Sequence, residues 1–531
     1  MPASQLIFRQ DGRIHITAGA GRDRLVDLAR RCASLHSVVA GDYLFELSDS
    51  ALWGAAARGH TAAGVVAELD RVAETPVPPA VAARIRGSMA RWGRLRLERA
   101  GDDIVLAADD AGLLRGLGLV PQHDAGRWAA TLDEGDIGRV KLAAMAEGWP
   151  VADARPPGRP STPYRLTVSL RPYQRDAVDA FLRGGAGLVL LPCGAGKTVV
   201  GVAAAAALGG STLVLAPSRT VSSQWRTTFT TTTTLAPESV RANARSTGDE
   251  QVAIVTYHAA TAGRVRAAIE ARHWDLVIYD EVQSLPADVF RLAAAFQSAR
   301  RLGLTATLVR EDGREREISA LVGPALYDAS WLDLARQGWI AAARCVEVRI
   351  PGAATPSERE RYRLATLKRL LALHSGQPVI VAGTRVAGLR RAGALLGFPI
   401  LTGESSRDER EELLQQFRDG SIAVLGLSRI GTVGIDLPNA AVLVQLSGTF
   451  GSRQEEAQRL GRVLRPEEGK SAHFYTLVVV GTAEEEYARR RQRFLVSQGY
   501  QYELLDAASL PRPAAPSDDL AREEMLGRRR P

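Results

Sequence analysis

From Tyr164 onward the chain repeats one pattern: a short apolar run rich in β-branched residues, then a longer segment of helical character. The runs read GLVLL, TLVLA, VAIVTY, DLVIYDE and RLGLTAT. After an interruption come PVIVAG, PILTG, IAVLGL, AVLVQLS and AHFYTLVVV. A strand that is apolar on both sides must be covered on both faces. Helices between successive strands give that cover when the strands run parallel. The two series therefore predict two α/β lobes, 164–325 and 376–505. Between them lies a bridging segment, 326–375, carrying the charged helical run SERERYRLATLKRLLAL.

The first 153 residues have another texture. Strand-like LIFRQ, RIHITA and IVLAAD stand among Ala- and Arg-rich amphipathic stretches such as Val81 to Trp92, which predicts a mixed α+β domain. ARPPGRPSTP, 154–163, is dense in Pro, Gly and Ser and reads as a linker, and 506–531 reads as a tail. The threonine run Thr230 to Thr234 reads as a polar loop or a helix end.

A chain of 531 residues is too long for one hydrophobic core, and no apolar run is long enough to span a bilayer. The start, MPASQLIFRQDGR, lacks the pattern of a secretory signal. Cys32, Cys193 and Cys345 lie far apart, which speaks against a disulfide framework or a zinc cluster. The expected location is the cytoplasm. The net charge of +8 favours a polyanionic partner only modestly. Arginine supplies nearly all of it, and the lysines are Lys141, Lys197, Lys368 and Lys470, so each is worth inspecting.

One of these lysines sits in LPCGAGKT, Leu191 to Thr198, between the apolar run GLVLL and a helical pattern. Strand, glycine loop and helix in that order form a phosphate cradle. Pro192, Cys193, Gly194, Ala195 and Gly196 would wrap the phosphates with backbone N–H groups. Lys197 would place its charge on the β- and γ-phosphates, and Thr198 would ligate Mg²⁺. Leu191 stands where such loops usually have their first glycine.

DLVIYDEVQ supplies the partner: a buried strand with Asp280 and Glu281 at its C-terminal end. Asp280 would hold Mg²⁺ through water, and Glu281 would act as general base on the attacking water. Upstream, LRPYQ offers Gln174 for the adenine edge, with Arg171 or Tyr173 packing on the base. Thr305 and Thr307, in GLTAT, are candidates for coupling the nucleotide site to a nucleic-acid groove. In the second lobe, QRLGRVLR puts Gln458, Gly461, Arg462 and Arg465 on one helical face, where Arg462 and Arg465 would reach the γ-phosphate as arginine fingers. Gly434 and Asp436, in SRIGTVGIDLP, suit a loop touching both nucleotide and strand.

With these motifs in this order, the sequence resembles superfamily 2 helicases and, within them, the XPB family of DNA repair helicases. LPCGAGKT, LGLTATLVRED and IDLPNAAVLVQLSGTFGSRQEEAQRLGRVLRP carry the resemblance from about Leu170 to Tyr502. ALWGAAARGH and ARWGRLRLER extend it more loosely toward the N-terminus. It implies two tandem RecA-like parallel-sheet lobes behind a mixed α+β N-terminal domain of the damage-recognising kind. It also implies ATP and Mg²⁺ as cofactors, DNA at forks or single-strand/duplex junctions as partner, and 3'-to-5' unwinding in nucleotide excision repair. Arg310, Glu311 and Asp312 match the family's Arg-Glu-Asp element, which would engage or split the duplex.

Two departures stand out. Gln283 occupies the position after DEV where the family usually has histidine, and the bridging stretch around Ser357 to Leu373 looks shorter than in relatives. Other readings stay open at this stage: a double-strand DNA translocase, an RNA helicase, or an ATP-gated damage clamp. The motor subunit of a restriction nuclease is a further one, although the Glu468/Lys470 pair suits a surface turn better than a nuclease site. A nuclease or other repair proteins would then be separate partners.

Overall fold

A computed structural model describes residues 3–511, apart from 40–41, 125, 157–162, 193, 244–248, 286–297, 307–314, 330, 341, 353–354, 384, 429–439, 447–470 and 498–500. The chain divides into two compact units, Met1–Ile340 with Arg493–Gly499 and Ala341–Gln492 with Tyr500–Pro531.

The first unit begins with two small sheets. Strands β1 (Leu6–Phe8), β2 (Ile14–Ile16), β3 (Ala33–Val39) and β4 (Asp42–Leu47) pair antiparallel in the order β1-β2-β4-β3. Strands β5 (Leu95–Ala100), β6 (Asp103–Ala108), β7 (Gln122–Asp124), β8 (Arg127–Leu132) and β9 (Val151–Asp153) form the second, ordered β7-β8-β6-β5-β9. Only its β5–β9 pairing is parallel. Helices lie between and beside these sheets, and Pro79–Met89 realises the amphipathic stretch around Val81. The expected mixed α+β character is present.

The same unit holds an all-parallel sheet of seven strands. These are β10 (Ala186–Leu190), β11 (Thr212–Ala216), β12 (Val240–Ala242), β13 (Val252–Thr256), β14 (Leu276–Asp280), β15 (Arg301–Thr305) and β16 (Ala325–Asp328), ordered β12-β13-β11-β14-β15-β10-β16. Each expected run is a strand, and β10, β11, β14 and β15 are buried along their whole length. The threonine run falls at the end of helix Arg219–Thr232.

The α+β domain packs on this lobe through Trp53, Met145 and Ala320, with Trp92 and Leu142 beside them. Next to them lies a buried ionic knot. The Asp153 carboxylate is reached by Lys141 Nζ at 2.8 Å, Arg155 Nε at 2.9 Å and Arg301 at 2.9 Å, and all four side chains are nearly inaccessible to water. Arg301 begins β15 and also donates to the carbonyl of Leu321 at 2.8 Å. Burial opposes ionisation of Asp153, but the cations outweigh it and hold its carboxyl well below the usual range. Lys141 goes the other way: burial, then repulsion from Arg301, pushes its pKa down to about 7.

The second unit is built on another all-parallel sheet of seven strands: β17 (Ala342–Ile350), β18 (Val379–Gly383), β19 (Ile400–Leu401), β20 (Val424–Ser428), β21 (Val442–Gln445), β22 (Ser471–Val479) and β23 (Gln501–Asp506). Their order is β19-β20-β18-β21-β22-β17-β23. The five expected runs are strands. The stretch read as bridging, 326–375, contains β17, which lies between β22 and β23, and the helix Pro356–Leu373. That helix opens on a reciprocal cap between Thr355 and Glu358. Among the described residues no helix is long and apolar enough to cross a membrane.

Candidate nucleotide site

In an open parallel sheet, ligand sites form beyond the carboxyl ends of the strands. In the first unit these ends carry the residues singled out from the sequence. β10 runs into Leu191 and Pro192, both buried, and the helix Lys197–Leu208 starts directly after the glycine loop. Gly194 and Gly196 adopt φ of 84° and 78°, the left-handed region that a side chain disfavours. A Cβ on Gly196 would also lie 2.5 Å from the amide nitrogen of Gln174.

Gln174 is placed differently from its expected adenine-edge role. Its Oε1 accepts from the backbone N–H of Arg171 at 3.0 Å, and its Nε2 donates to the carbonyl of Ala195 at 3.1 Å. Tyr173 Oη donates to the same carbonyl at 2.8 Å. Both side chains therefore brace the phosphate loop from below. Arg171 donates to the carbonyl of Trp339 at 3.0 Å and lies over that indole. The sequence pattern placed these residues beside the loop without revealing that the loop itself is their partner.

Lys197 Nζ donates to the carbonyl of Leu191 at 3.3 Å and lies 3.6 Å from Glu281 Oε1. Thr198 follows in the first helical turn. Asp280 ends β14 and is buried; burial, then the adjacent Glu281 carboxylate, raises its pKa well above the usual range. Two carboxylates thus share a desolvated pocket with Lys197, and a divalent cation supplies the charge such a pocket lacks. Among the described residues no cluster of three His, Cys, Asp or Glu forms a protein cage. One or two carboxylates beside phosphate oxygens is the arrangement Mg²⁺ uses.

Glu281 takes φ 50°, ψ 53°, a conformation that costs a residue with a Cβ roughly 1–2 kcal/mol. Gln283 Nε2 donates to Glu281 Oε2 at 2.9 Å, and Gln283 Oε1 accepts from Thr305 Oγ1 at 2.5 Å. The glutamine thus joins Glu281 to Thr305. The carbonyl of Thr305 in turn accepts from the N–H of Leu191 at 2.9 Å, tying the end of β15 to the root of the phosphate loop.

Sequence reading missed two aromatic residues here. Trp225 Nε1 donates to Asp280 Oδ2 at 2.7 Å, and Tyr257 Oη donates to the backbone carbonyl of Asp280 at 2.6 Å. Cys193, Thr307, Arg310, Glu311, Asp312, Gly434, Asp436, Gln458, Arg462 and Arg465 lie outside the described residues.

The family described as "ERCC3/RAD25/XPB C-terminal helicase" matches residues 334–515, "Type III restriction enzyme, res subunit" matches 167–310, and "Helicase conserved C-terminal domain" matches 6–125. The "DNA 3'-5' helicase XPB" of Mycobacterium tuberculosis is 40% identical over 537 residues, covering 94% of this chain and 96% of that protein. The "General transcription and DNA repair factor IIH helicase/translocase subunit XPB" of Antonospora locustae is 33% identical, covering 87% of this chain and 76% of its own. A solved structure, the "ATP-dependent Type ISP restriction-modification enzyme LlaBIII bound to DNA", superposes with a TM-score of 0.52 at 13% identity, over 69% of this chain and 32% of that one; it speaks for the fold alone. With its near-complete match to the mycobacterial protein and the helicase lobes it shares with it, the chain belongs to the XPB/Rad25 helicase family.

Proposed function

We propose that this protein is an ATP-dependent DNA helicase that moves 3' to 5', and that duplex opening in nucleotide excision repair is its physiological task. The observation that carries the reading is the convergence of Lys197, Asp280, Glu281 and the Gln283–Thr305 pair at the carboxyl ends of adjacent parallel strands. The names of the relatives supply the substrate and the repair setting.

ATP would rest on the Gly194–Gly196 loop, with Lys197 on its terminal phosphates and Thr198 and Asp280 holding Mg²⁺. Mg²⁺ held there would supply positive charge to offset that of the phosphates. Glu281 takes the proton of the attacking water. Asp280 on the metal and Glu281 on the water would then have separate tasks. Arg462 and Arg465, with Gln458 on the same helical face, would close over the γ-phosphate from the second lobe, and Gly434 and Asp436 would line that side. Loss of the γ-phosphate removes what both lobes hold, and Arg310, Glu311 and Asp312 would then act at the duplex. Backbone contacts would dominate binding, making it salt-sensitive and largely indifferent to sequence. A nuclease and other repair proteins are the partners such an activity calls for, in the cytoplasm.

The hydrogen bonds of Gln283 to Glu281 and Thr305 favour a coupled motor over a static ATP-gated clamp. Translocation on double-stranded DNA is the nearer alternative, since the Antonospora relative's name includes the word translocase. ATP turnover measured with single-stranded DNA, duplex DNA and RNA separates these readings. The proposal expects DNA, and not RNA, to stimulate turnover, and Lys197→Ala to abolish it. Stimulation by RNA alone, or full turnover in that variant, contradicts it.

A further inference from the structure

We propose that Trp225 is a positioning residue for hydrolysis: its indole N–H holds the Asp280 carboxylate in the rotation that presents the other oxygen to Mg²⁺. This rests on the nucleotide-site reading above.

The geometry starts from Asp280 Oδ2, which accepts from Trp225 Nε1 at 2.7 Å inside a fully buried environment. A carboxylate on a short side chain turns easily about its Cβ–Cγ bond. One short hydrogen bond to one oxygen fixes that turn and leaves the second oxygen free of the indole. The donor is neutral, so it orients the carboxylate without adding a positive charge that would compete with a divalent cation. Lysine or arginine at this position would take the cation's place.

The ring is itself held by its surroundings. It is entirely buried, and it packs against Phe229 of the same helix with centroids 6.0 Å apart. On the other side it lies against Gly201, where a Cβ would fall 2.4 Å from the ring atom Cη2. Gly201 is three residues beyond Thr198 on the helix that follows the phosphate loop, so the two lie on neighbouring faces of that helix. Glycine within an alanine-rich helix is destabilising relative to alanine. Here it admits the indole. The tryptophan therefore joins three parts of the site: the phosphate-loop helix, its own helix after β11, and the carboxylate at the end of β14. Tyr257 fixes the Asp280 backbone from the far side, so side chain and main chain are each held by one aromatic donor.

The test replaces Trp225 in the full chain with 3-benzothienylalanine, which keeps the bicyclic shape and puts sulfur where the N–H was. Trp225→Phe serves as a second variant. The readout is the free Mg²⁺ that half-saturates binding of a fluorescent ATP analogue, with binding in EDTA and thermal unfolding measured alongside. Losing a hydrogen bond to a charged group should raise that Mg²⁺ concentration about tenfold, with EDTA binding unchanged. Turnover should fall at limiting Mg²⁺ and recover at saturating Mg²⁺. A merely structural tryptophan predicts that the benzothienyl variant matches the wild type in Mg²⁺ requirement, and that result overturns the proposal even if Trp225→Phe fails to fold. If wild-type chain shows no Mg²⁺-dependent ATP binding, the nucleotide-site reading falls, and this inference with it. If wild type shows it and both variants match, only the role of Trp225 falls.

Discussion

Thr305 donates its hydroxyl proton to the side-chain oxygen of Gln283 at 2.5 Å, which leaves the amide nitrogen of that glutamine to hold Glu281. Glu281, the proposed general base, and the end of β15 are thereby connected through one neutral side chain. Gln283→Ala is expected to leave DNA-independent ATP turnover within a few-fold of wild type and to cut strand displacement about tenfold, since a hydrogen bond to a charged group is lost. Gln283→His, which restores the family's usual residue, should keep both. Parallel ATPase and displacement assays check this. Equal loss of both activities in Gln283→Ala would show that the residue serves hydrolysis itself.

The proposed role of Arg310 is at the duplex and not at the nucleotide. Arg310→Ala should retain most DNA-stimulated ATP turnover while impairing unwinding. A matched pair of assays on one forked substrate decides it, and equal loss of both contradicts a separate duplex-splitting role.

The Asp153 carboxylate contacts Lys141, Arg155 and Arg301 in the buried knot between the N-terminal domain and the first lobe. Asp153→Asn keeps the shape and removes the charge, leaving the cations uncompensated. Breaking a buried ion pair from one side costs about 3–5 kcal/mol. The urea midpoint of the full chain should drop accordingly, whereas Lys141→Met should change it little.

The same knot gives a pH dependence with a definite sign. Lys141 has a pKa of about 7 in the fold against the ordinary 10.5, so between those values the unfolded chain carries more protons. Stability contributed at this site must then rise with pH across that window, and the slope vanishes below about 7 where both states are protonated. Urea unfolding at pH 7 through 10 should show the wild type gaining on Lys141→Met as pH increases. A constant difference would mean that Lys141 stays charged in the fold.

The strands legible in sequence are those that are apolar on both faces, such as TLVLA and DLVIY, because their alternation with helical segments fits a parallel sheet covered on both sides. β17 was hidden in the stretch read as bridging. Its Arg344, Glu347 and Arg349 break the apolar run, and only the fold supplies Tyr502, whose hydroxyl donates to the buried Glu347 at 2.9 Å. β23 pairs only with β17 at the sheet's edge and carries a half-polar pattern for that reason. At the site, the glycine loop and the Asp280–Glu281 pair are local signals and could be read directly. Trp225 and Tyr257 could not, since they reach Asp280 across 55 and 23 residues of chain and no local pattern marks them. Gln174 was recognised by its spacing, but its role as a brace appears only once Ala195 lies beside it.

The central claim is that ATP held at Lys197, Asp280 and Glu281 drives travel along DNA. The direct measurement is strand displacement on partial duplexes bearing a 3' or a 5' single-stranded tail, with ATP and with a non-hydrolysable analogue. The account predicts displacement from the 3'-tailed substrate with ATP alone, and none from the 5'-tailed one. Displacement that proceeds equally with the analogue, or only from the 5' tail, would contradict it.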